Sequence, residues 1–501
     1  MTKDKILEIA KRRGFFWPSF EIYGSCAGFY TYGPLGSLLK HRIENLIRDH
    51  YINNERCLSV EAPTLTPEDP WVASGHVKSF TDMIIECQKC GEPYRADHLL
   101  GEKTEKATEG LGPKEIQEMI AEAGIKCLKC GGNLENIYNY NLMFKTQIGP
   151  GKNKVTGCLR PETAQTTYMP FRRLFEIGRK ALPLGVIQIG KSFRNEISPR
   201  QGLVRLREFT QAEVQFFLDP EKKNVHPKFD SIKNRTVTVL DKHDQTGGKP
   251  EKKVKVEDLV KKGLTNEWIA YFLAVSVDLF ERMGMNPGKL RCRQHRDDER
   301  SFYSSDTWDV EFMSDSFGKI EIVGIADRTD YDLKRHQEFS KQSMEVNVDG
   351  RKFIPHVVEV AYGIDRPVYC VIESCLKEDG DRVYFSFPPT VSPYQVAVFP
   401  LVKKDGLQET AVEVYEQLRT AGFYALYDEG FIGRLYYRQD EAGTPFCVTV
   451  DYETKDDGTV TVRNRDNQKQ IRVKIAELPQ IMQKIANGSL GFEKAGRLVK
   501  G

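Results

Sequence analysis

The sequence predicts a multi-domain chain of mixed α and β structure: paired strands backed by helices, a cysteine-knuckle insertion, and a separate α/β domain at the C-terminal end. Three observations carry this prediction. Residues 186–216 alternate with period two across a turn marked by Pro199 and Gly202, the pattern of a hairpin. Two Cys-x-x-Cys-Gly knuckles, ECQKCGEP and KCLKCGGN, precede the hairpin. Beyond the proline-rich FSFPPTVSP (385–393) the pattern changes to strand alternating with helix. The expected divisions are 1–85, 86–135, 136–390 and 391–501.

Bulk properties narrow the function classes. A chain of 501 residues has room for two to four domains with sizeable cores. Its 73 basic and 71 acidic side chains nearly cancel, which excludes a global attraction to nucleic acid and leaves only local basic faces. No apolar run is long enough for a membrane span. The start, MTKDKILEIAKRRGFFWPSF, places Asp4 and Glu8 where a secretory signal needs apolar residues, so an amphipathic helix and a cytoplasmic location are expected. With that expectation, 11 cysteines argue against a disulfide framework.

Leu35, Leu38, Leu39, Ile43, Leu46 and Ile47 recur at helical spacing and give 35–50 one apolar face. An extended segment follows, interrupted by Pro63, Pro67 and Pro70, which confines it to a sheet edge or an interface. Helix and segment are read either as a dimer surface or as a simple buried helix.

Cys87, Cys90, Cys127 and Cys130 come next. Two tight turns each bring two thiolates together, and four sulfurs suit tetrahedral zinc with no open coordination position, hence a structural ion. The 36 residues between Cys90 and Cys127 imply an insertion within the site, and its stretch 101–124 reads as helical. A redox role is disfavoured because neither knuckle is expected to follow a strand. Cys26, Cys57, Cys158, Cys292, Cys370, Cys375 and Cys447 lack ligand spacing and read as buried small hydrophobes.

In the hairpin, Val204, Leu206, Thr210, Ala212, Val214 and Phe216 form a mostly apolar face, spoiled by Glu208. The opposite face carries Arg205, Arg207, Phe209, Gln211, Glu213 and Gln215. Arginines, carboxylates and one aromatic on a single floor suit a ligand with a flat ring and an anionic tail. The competing reading is a solvated sheet with cross-strand ion pairs. Residues 219–262 read as a lysine-rich surface excursion, with contact to a phosphate backbone as the alternative. KIEIVGIADR (319–328) is a buried strand pattern carrying Glu321. Residues 353–376 run strand, turn at Gly363, and helix with Arg366 in its first turns. In the C-terminal part, Tyr452, Arg463, Asn464 and Arg465 are candidates for contact with unstacked bases.

Taken together the motifs resemble those of class II aminoacyl-tRNA synthetases, and most closely the dimeric glycyl branch of archaea, eukaryotes and some bacteria. The resemblance runs from GFFWPSFEIYGSCAGFYTYGPLG (14–36) through WVASGHVKSFTD, RADHL (95–99), LRPETAQ (159–165), FRNEISPRQG with REFTQAE, GIADR and GIDR to RQDEAGTPF. It implies an α+β catalytic domain, an antiparallel sheet flanked by helices, followed by a C-terminal α/β anticodon-binding domain. It also implies a homodimer built through the segment around Pro63.

The activity implied is ATP-dependent activation of glycine followed by transfer to the 3′ end of tRNA(Gly), with ATP, glycine and that tRNA as partners and no membrane. Arg194 would grip the α-phosphate, Phe209 stack under adenine and Glu196 bond its amine. Arg366 would cover the other adenine face and meet the γ-phosphate, and Glu321 would hold magnesium. Asn195, Leu206, Arg207, Glu208, Ile322, Gly363, Ile364 and Asp365 complete the implied ATP site. Arg95, Glu162, Phe209, Gln211, Glu213, Arg293 and Glu359 form the implied amino-acid site, with the acids near the ammonium. No protein nucleophile is needed, only in-line approach and neutralised charge.

Two departures from the family pattern stand out. Ala361 occupies the position of an expected serine in Glu359-Val360-Ala361-Tyr362-Gly363. Gly433-Arg434-Leu435-Tyr436 replaces Gly-Arg-Arg-Tyr. Other small-residue synthetases (serine, threonine, proline) and a catalytically silent paralogue are the competing readings. LRPETAQ with the knuckles argues against the first. The presence of Arg194, Glu196, Glu321 and Arg366 together argues against the second.

Overall fold

A computed structural model describes residues 3–104, 111–197, 199, 201–301 and 303–499. A nine-stranded sheet organises the larger part of the chain. Its order is Lys252–Lys255, Thr236–Leu240, Leu290–Gln294, Asp306–Ser314, Gly318–Thr329, His356–Gly363, Glu208–Leu218, Leu184–Phe193, Leu58–Val60. Neighbours are antiparallel except at two junctions, where Thr236–Leu240 meets Leu290–Gln294 and where Leu58–Val60 meets Leu184–Phe193.

One face of the sheet is covered by helices. Ala212, Val214, Phe216, Val358, Val360 and Tyr362 pack against helix Glu267–Arg282, whose Trp268, Phe272 and Phe280 are buried. Asn266 starts that helix by accepting the Ile269 N–H. Helices Pro34–Asp49 and Asp365–Cys375 share the same core, and each large apolar side chain sealed there contributes about 1.5–3 kcal/mol. The other face is divided along its length. Toward one end Val186, Phe217 and Val357 join a second core with Tyr168, Phe171 and Leu333. Toward the other end that face is polar and lines a cavity.

Several expectations need correcting. The second hairpin strand begins at Glu208, not near Val204: residues 202–204 form a 3-10 turn, and Ser198 and Arg200 of the connection lie outside the described residues. The lysine-rich 219–262 stretch is no surface excursion. Its strands Thr236–Leu240 and Lys252–Lys255 extend the main sheet, and Val237, Val239, Val256 and Leu259 enter the core while most of the lysines are exposed. The first knuckle does follow a strand, since Cys87 ends Thr81–Cys87, and that strand belongs to a small antiparallel sheet of three. Cys26 is exposed, whereas the other six non-knuckle cysteines are buried. Of the stretch 101–124, helices Ala96–Thr104 and Pro113–Glu122 account for most, and 105–110 lie outside the described residues.

The C-terminal part has a mixed six-stranded sheet in the order Ala425–Tyr427, Val396–Pro400, Phe446–Val450, Thr459–Asn464, Gln470–Lys474, Arg497–Leu498. Strands and helices alternate as expected through Val450. Two of the four residues proposed there to meet bases are interior: Arg463 is ion-paired with Asp440, and Arg465 donates to the carbonyls of Phe387 and Gly443. Alternation assigns each of them a face, but the partner that draws each inward is distant in sequence.

Candidate active site

The polar end of the main sheet carries a cavity of about 290 Å³. Register explains which side chains reach it. Glu213 pairs with Ala361, and Ala361 in turn with Gly324; Gln211 pairs with Gly363, and Glu359 with Ala326. These positions share one face, and their small members leave the cavity its volume. Glu321 would fall on the opposite face by simple alternation from Gly324. A bulge intervenes: Val310 pairs with Val323 but Glu311 with Glu321, so Ile322 is the extra residue. Ile322 and Val323 both enter the core, and Glu321 is turned into the cavity beside Gly324.

Arg194 and Arg366 line this same cavity. Arg194 donates from Nε to the Pro161 carbonyl at 3.2 Å, and its guanidinium lies over the rings of Phe80 and Phe209. Arg366 donates to the carbonyls of Val204 (3.1 Å) and Glu321 (2.9 Å) and sits 3.4 Å from the Glu321 carboxylate. Glu196 accepts Arg205 Nε at 2.7 Å. Half of the Glu321 side-chain surface reaches solvent, yet the carboxyl lies within the cleft. Against its desolvation there, the charges of Arg366, His295 and Arg194 hold it below the ordinary carboxyl range. Asp365 accepts Tyr32 Oη at 2.6 Å and the Thr210 N–H at 2.6 Å, which fixes the turn that carries Arg366.

The inner end is acidic. Glu162, Glu213 and Glu359 all line the cavity. Arg328, almost wholly buried, donates to Asp332 at 2.7 and 3.0 Å and to Glu359 at 3.1 Å. His76 stands 3.3 Å from Glu162. Burial opposes ionisation of Glu162, but His76 and Arg328 outweigh it and hold the carboxyl low. Glu213 accepts only neutral donors, Thr163 Oγ1 at 2.7 Å and Gln211 Nε2 at 2.8 Å, and pairs with no cation within 4 Å among the described residues. Burial, then the charges of Glu359 and Glu162, push it up to about 8. Burial likewise raises Glu359, with Arg328 opposing. Among the described residues, the three cavity carboxyls Glu162, Glu213 and Glu359 have only His76 and Arg328 as ion-pair partners within 4 Å, a balance that favours a small cation.

Of the residues assigned to the implied ATP and amino-acid sites, Glu162, Arg194, Glu196, Leu206, Phe209, Gln211, Glu213, Glu321, Glu359, Gly363, Asp365 and Arg366 line the cavity. The remainder lie around it. Asn195 bonds Tyr140, Arg207 donates to the carbonyls of Ala27 and Glu196, and Glu208 pairs with Lys191 at the strand end. Ile322 and Ile364 are in the core. Arg95 pairs with Asp82 and Asp97, while Arg293 pairs with Glu299, Asp309 and Glu311. Sequence reasoning missed His295, Asp309, Tyr303 and Arg328. Asp309 accepts His295 Nε2 at 2.7 Å, and burial followed by the charge of Glu321 raises it to about 6. Arg328 closes GIADR (324–328), and an arginine in a buried strand pattern is the signal that could find it.

The four knuckle sulfurs converge. Cys87 and Cys130 Sγ are 3.4 Å apart, Cys90 and Cys127 Sγ 3.6 Å, and all four lie within 4.8 Å of one another. Four thiolates about 2.3 Å from a tetrahedral zinc stand near these separations, so the donor set fits that ion.

Residues 144–375 match the family described as "tRNA synthetase class II core domain (G, H, P, S and T)", and residues 395–485 the family described as "Anticodon binding domain". A glycine–tRNA ligase of Methanocaldococcus jannaschii is 43% identical over 95% of this chain and 98% of its own length. Those of Methanothrix thermoacetophila and Methanothermobacter thermautotrophicus are each 40% identical, covering 99% and 97% of this chain. Among solved structures, prolyl-tRNA synthetase from Cryptosporidium parvum superposes with a TM-score of 0.60 at 14% identity, over 97% of this chain and 75% of its own. At that identity the likeness is one of fold. No helix among the described residues is long and apolar enough to cross a membrane.

Proposed function

Because this chain belongs to the glycine–tRNA ligase family, we propose that it joins glycine to tRNA(Gly) at the expense of ATP in the cavity on the polar end of its main sheet. One observation carries the assignment of the site: Arg194 and Arg366 reach the same cavity as the acidic trio Glu162, Glu213 and Glu359. A nucleotide there would lay its adenine on Phe209 with Glu196 at its edge, and Arg194 would meet the α-phosphate. Arg366 would take the far phosphates. Glycine would place its ammonium among the acids and its carboxylate toward the phosphorus.

Chemistry follows from this placement without a protein nucleophile. A glycine carboxylate oxygen attacks the α-phosphorus and pyrophosphate departs, while the fixed guanidiniums meet the charge that develops. A tRNA 3′-terminal hydroxyl then attacks the adenylate carbonyl, and AMP leaves. Glu321 and Asp309 are the carboxylates that would hold a hard cation beside the phosphates, since both flank Gly324 on the cavity floor. Magnesium held there would neutralise phosphate charge. A pocket for the smallest amino acid rejects larger ones by clash, and no smaller competitor exists, so editing is unnecessary.

Around that centre we read the knuckles as a structural zinc site and the protein as a cytoplasmic homodimer. Phe20, Ile22 and Tyr23 support the dimer: they are 56%, 88% and 85% exposed together in one short segment, an apolar patch that a second copy would cover. Pyrophosphate exchange across the twenty amino acids, followed by tRNA charging, tests the reaction. Exchange with glycine alone is the expected result, and exchange with serine, threonine or proline instead would overturn it. Light scattering tests the dimer.

A further inference from the structure

Helix Ile432–Ala442 has two dissimilar ends. Its outer part exposes Arg434, Tyr437 and Arg438 to solvent, and Phe431 just before it is exposed as well. Its inner end buries Gln439, Asp440 and Glu441, none more than 3% exposed. Two carboxylates inside a protein need cations, and here most of those cations come from the other part of the molecule.

Glu441 accepts Arg12 Nη1 at 2.8 Å and Nη2 at 3.1 Å, and also pairs with Arg13, both at the end of helix Lys3–Arg13. Asp440 accepts Arg382 Nε at 2.8 Å from strand Arg382–Phe385, and Arg463 at 2.8 and 3.1 Å from its own domain. Arg382 reaches the Arg465 carbonyl as well. Directly after the helix, Gly443 adopts φ +80, and an added Cβ would stand 2.2 Å from the Phe387 ring. A side chain at that point would push the two parts of the molecule apart.

Contacts between domains of one chain ordinarily permit relative motion unless they are large and apolar. Apolar groups would hold such a seam at least as firmly as buried ion pairs do. What directional pairs add is a single orientation. We propose that Asp440 and Glu441 are positioning residues for the transfer step: with Arg12, Arg13 and Arg382 they lock the C-terminal domain to the catalytic part, so that a tRNA held by one presents its 3′ end to the other. The inference rests on the ligase reading above. Neither acid lines the cavity, so glycine activation does not depend on them.

The test compares two activities of one preparation. In Glu441→Gln, glycine-dependent pyrophosphate exchange is expected within about twofold of the unaltered protein, and kcat/KM for tRNA in charging to fall on the order of tenfold. The paired variant Arg12→Gln with Arg13→Gln alters partly exposed side chains and should give the same split. Combining it with Glu441→Gln should add little, because both remove one interaction. Charging that is unchanged, or that falls only in step with exchange in both variants, overturns the proposal, as does full additivity. Absence of exchange in the unaltered protein would instead refute the ligase reading, and is seen before any variant is made.

Discussion

Arg194 lies over the ring of Phe209, its guanidinium carbon 5.3 Å from the ring centroid. The residue assigned to the α-phosphate therefore rests on the residue assigned to adenine, and Phe80 flanks it at the same distance. A guanidinium held this way has lost much of its freedom before the substrate arrives. Arg194→Ala should slow glycine-dependent pyrophosphate exchange by about 100-fold, on the scale of about 3 kcal/mol for one preorganised donor. Arg194→Lys should recover little, since a point charge cannot reproduce the planar fork. Exchange by Arg194→Ala at near the unaltered rate would remove the nucleotide assignment.

Glu213 supplies a pH dependence. Its carboxyl, raised to about 8 from an ordinary 4.5, holds a proton in the folded protein that the unfolded chain has lost. The stability this confers is complete below about 4.5 and is lost as pH rises through about 8. A glycine ammonium favours the ionised form, so binding expels that proton. The KM for glycine is expected to fall from about pH 6.5 to about 8 and then level off. Glu213→Gln should raise that KM and flatten its slope; a slope that persists in the variant assigns the titration elsewhere.

Metal content separates the structural reading of the knuckles from a redox one. The purified protein should carry about one zinc per chain, and Cys127→Ser should lose it. Because the knuckles tie together the small core of Ile85, Leu100, Ile116 and Ile120, loss of the ion should lower Tm. A chain that binds no zinc yet melts identically after chelation would contradict this.

Ala361 sits between Glu213 and Gly324 on the cavity floor. A serine hydroxyl added here would face the acidic trio, and one net hydrogen bond of about 0.5–1.5 kcal/mol predicts a two- to tenfold lower KM for glycine in Ala361→Ser. Ala361→Leu should abolish activation by filling the space glycine occupies. Steady-state exchange kinetics check both, and unaltered glycine kinetics in Ala361→Leu would place the amino acid elsewhere.

Local pattern in the sequence was enough for the hairpin faces from Glu208 onward, the strand–turn–helix that presents Arg366, the four-thiol spacing and the alternating C-terminal domain, because each depends on periodicity or on neighbours a few residues apart. The tertiary structure decided the rest. It turned the lysine-rich stretch into sheet edge, drew Arg463 and Arg465 inside, and placed Arg328 beneath the acids. It also inserted Ile322 as the extra residue that brings Glu321 round to the cavity. Alternation tells which residues share a face. Which face is buried, and where one residue too many reverses the count, depends on partners remote along the chain.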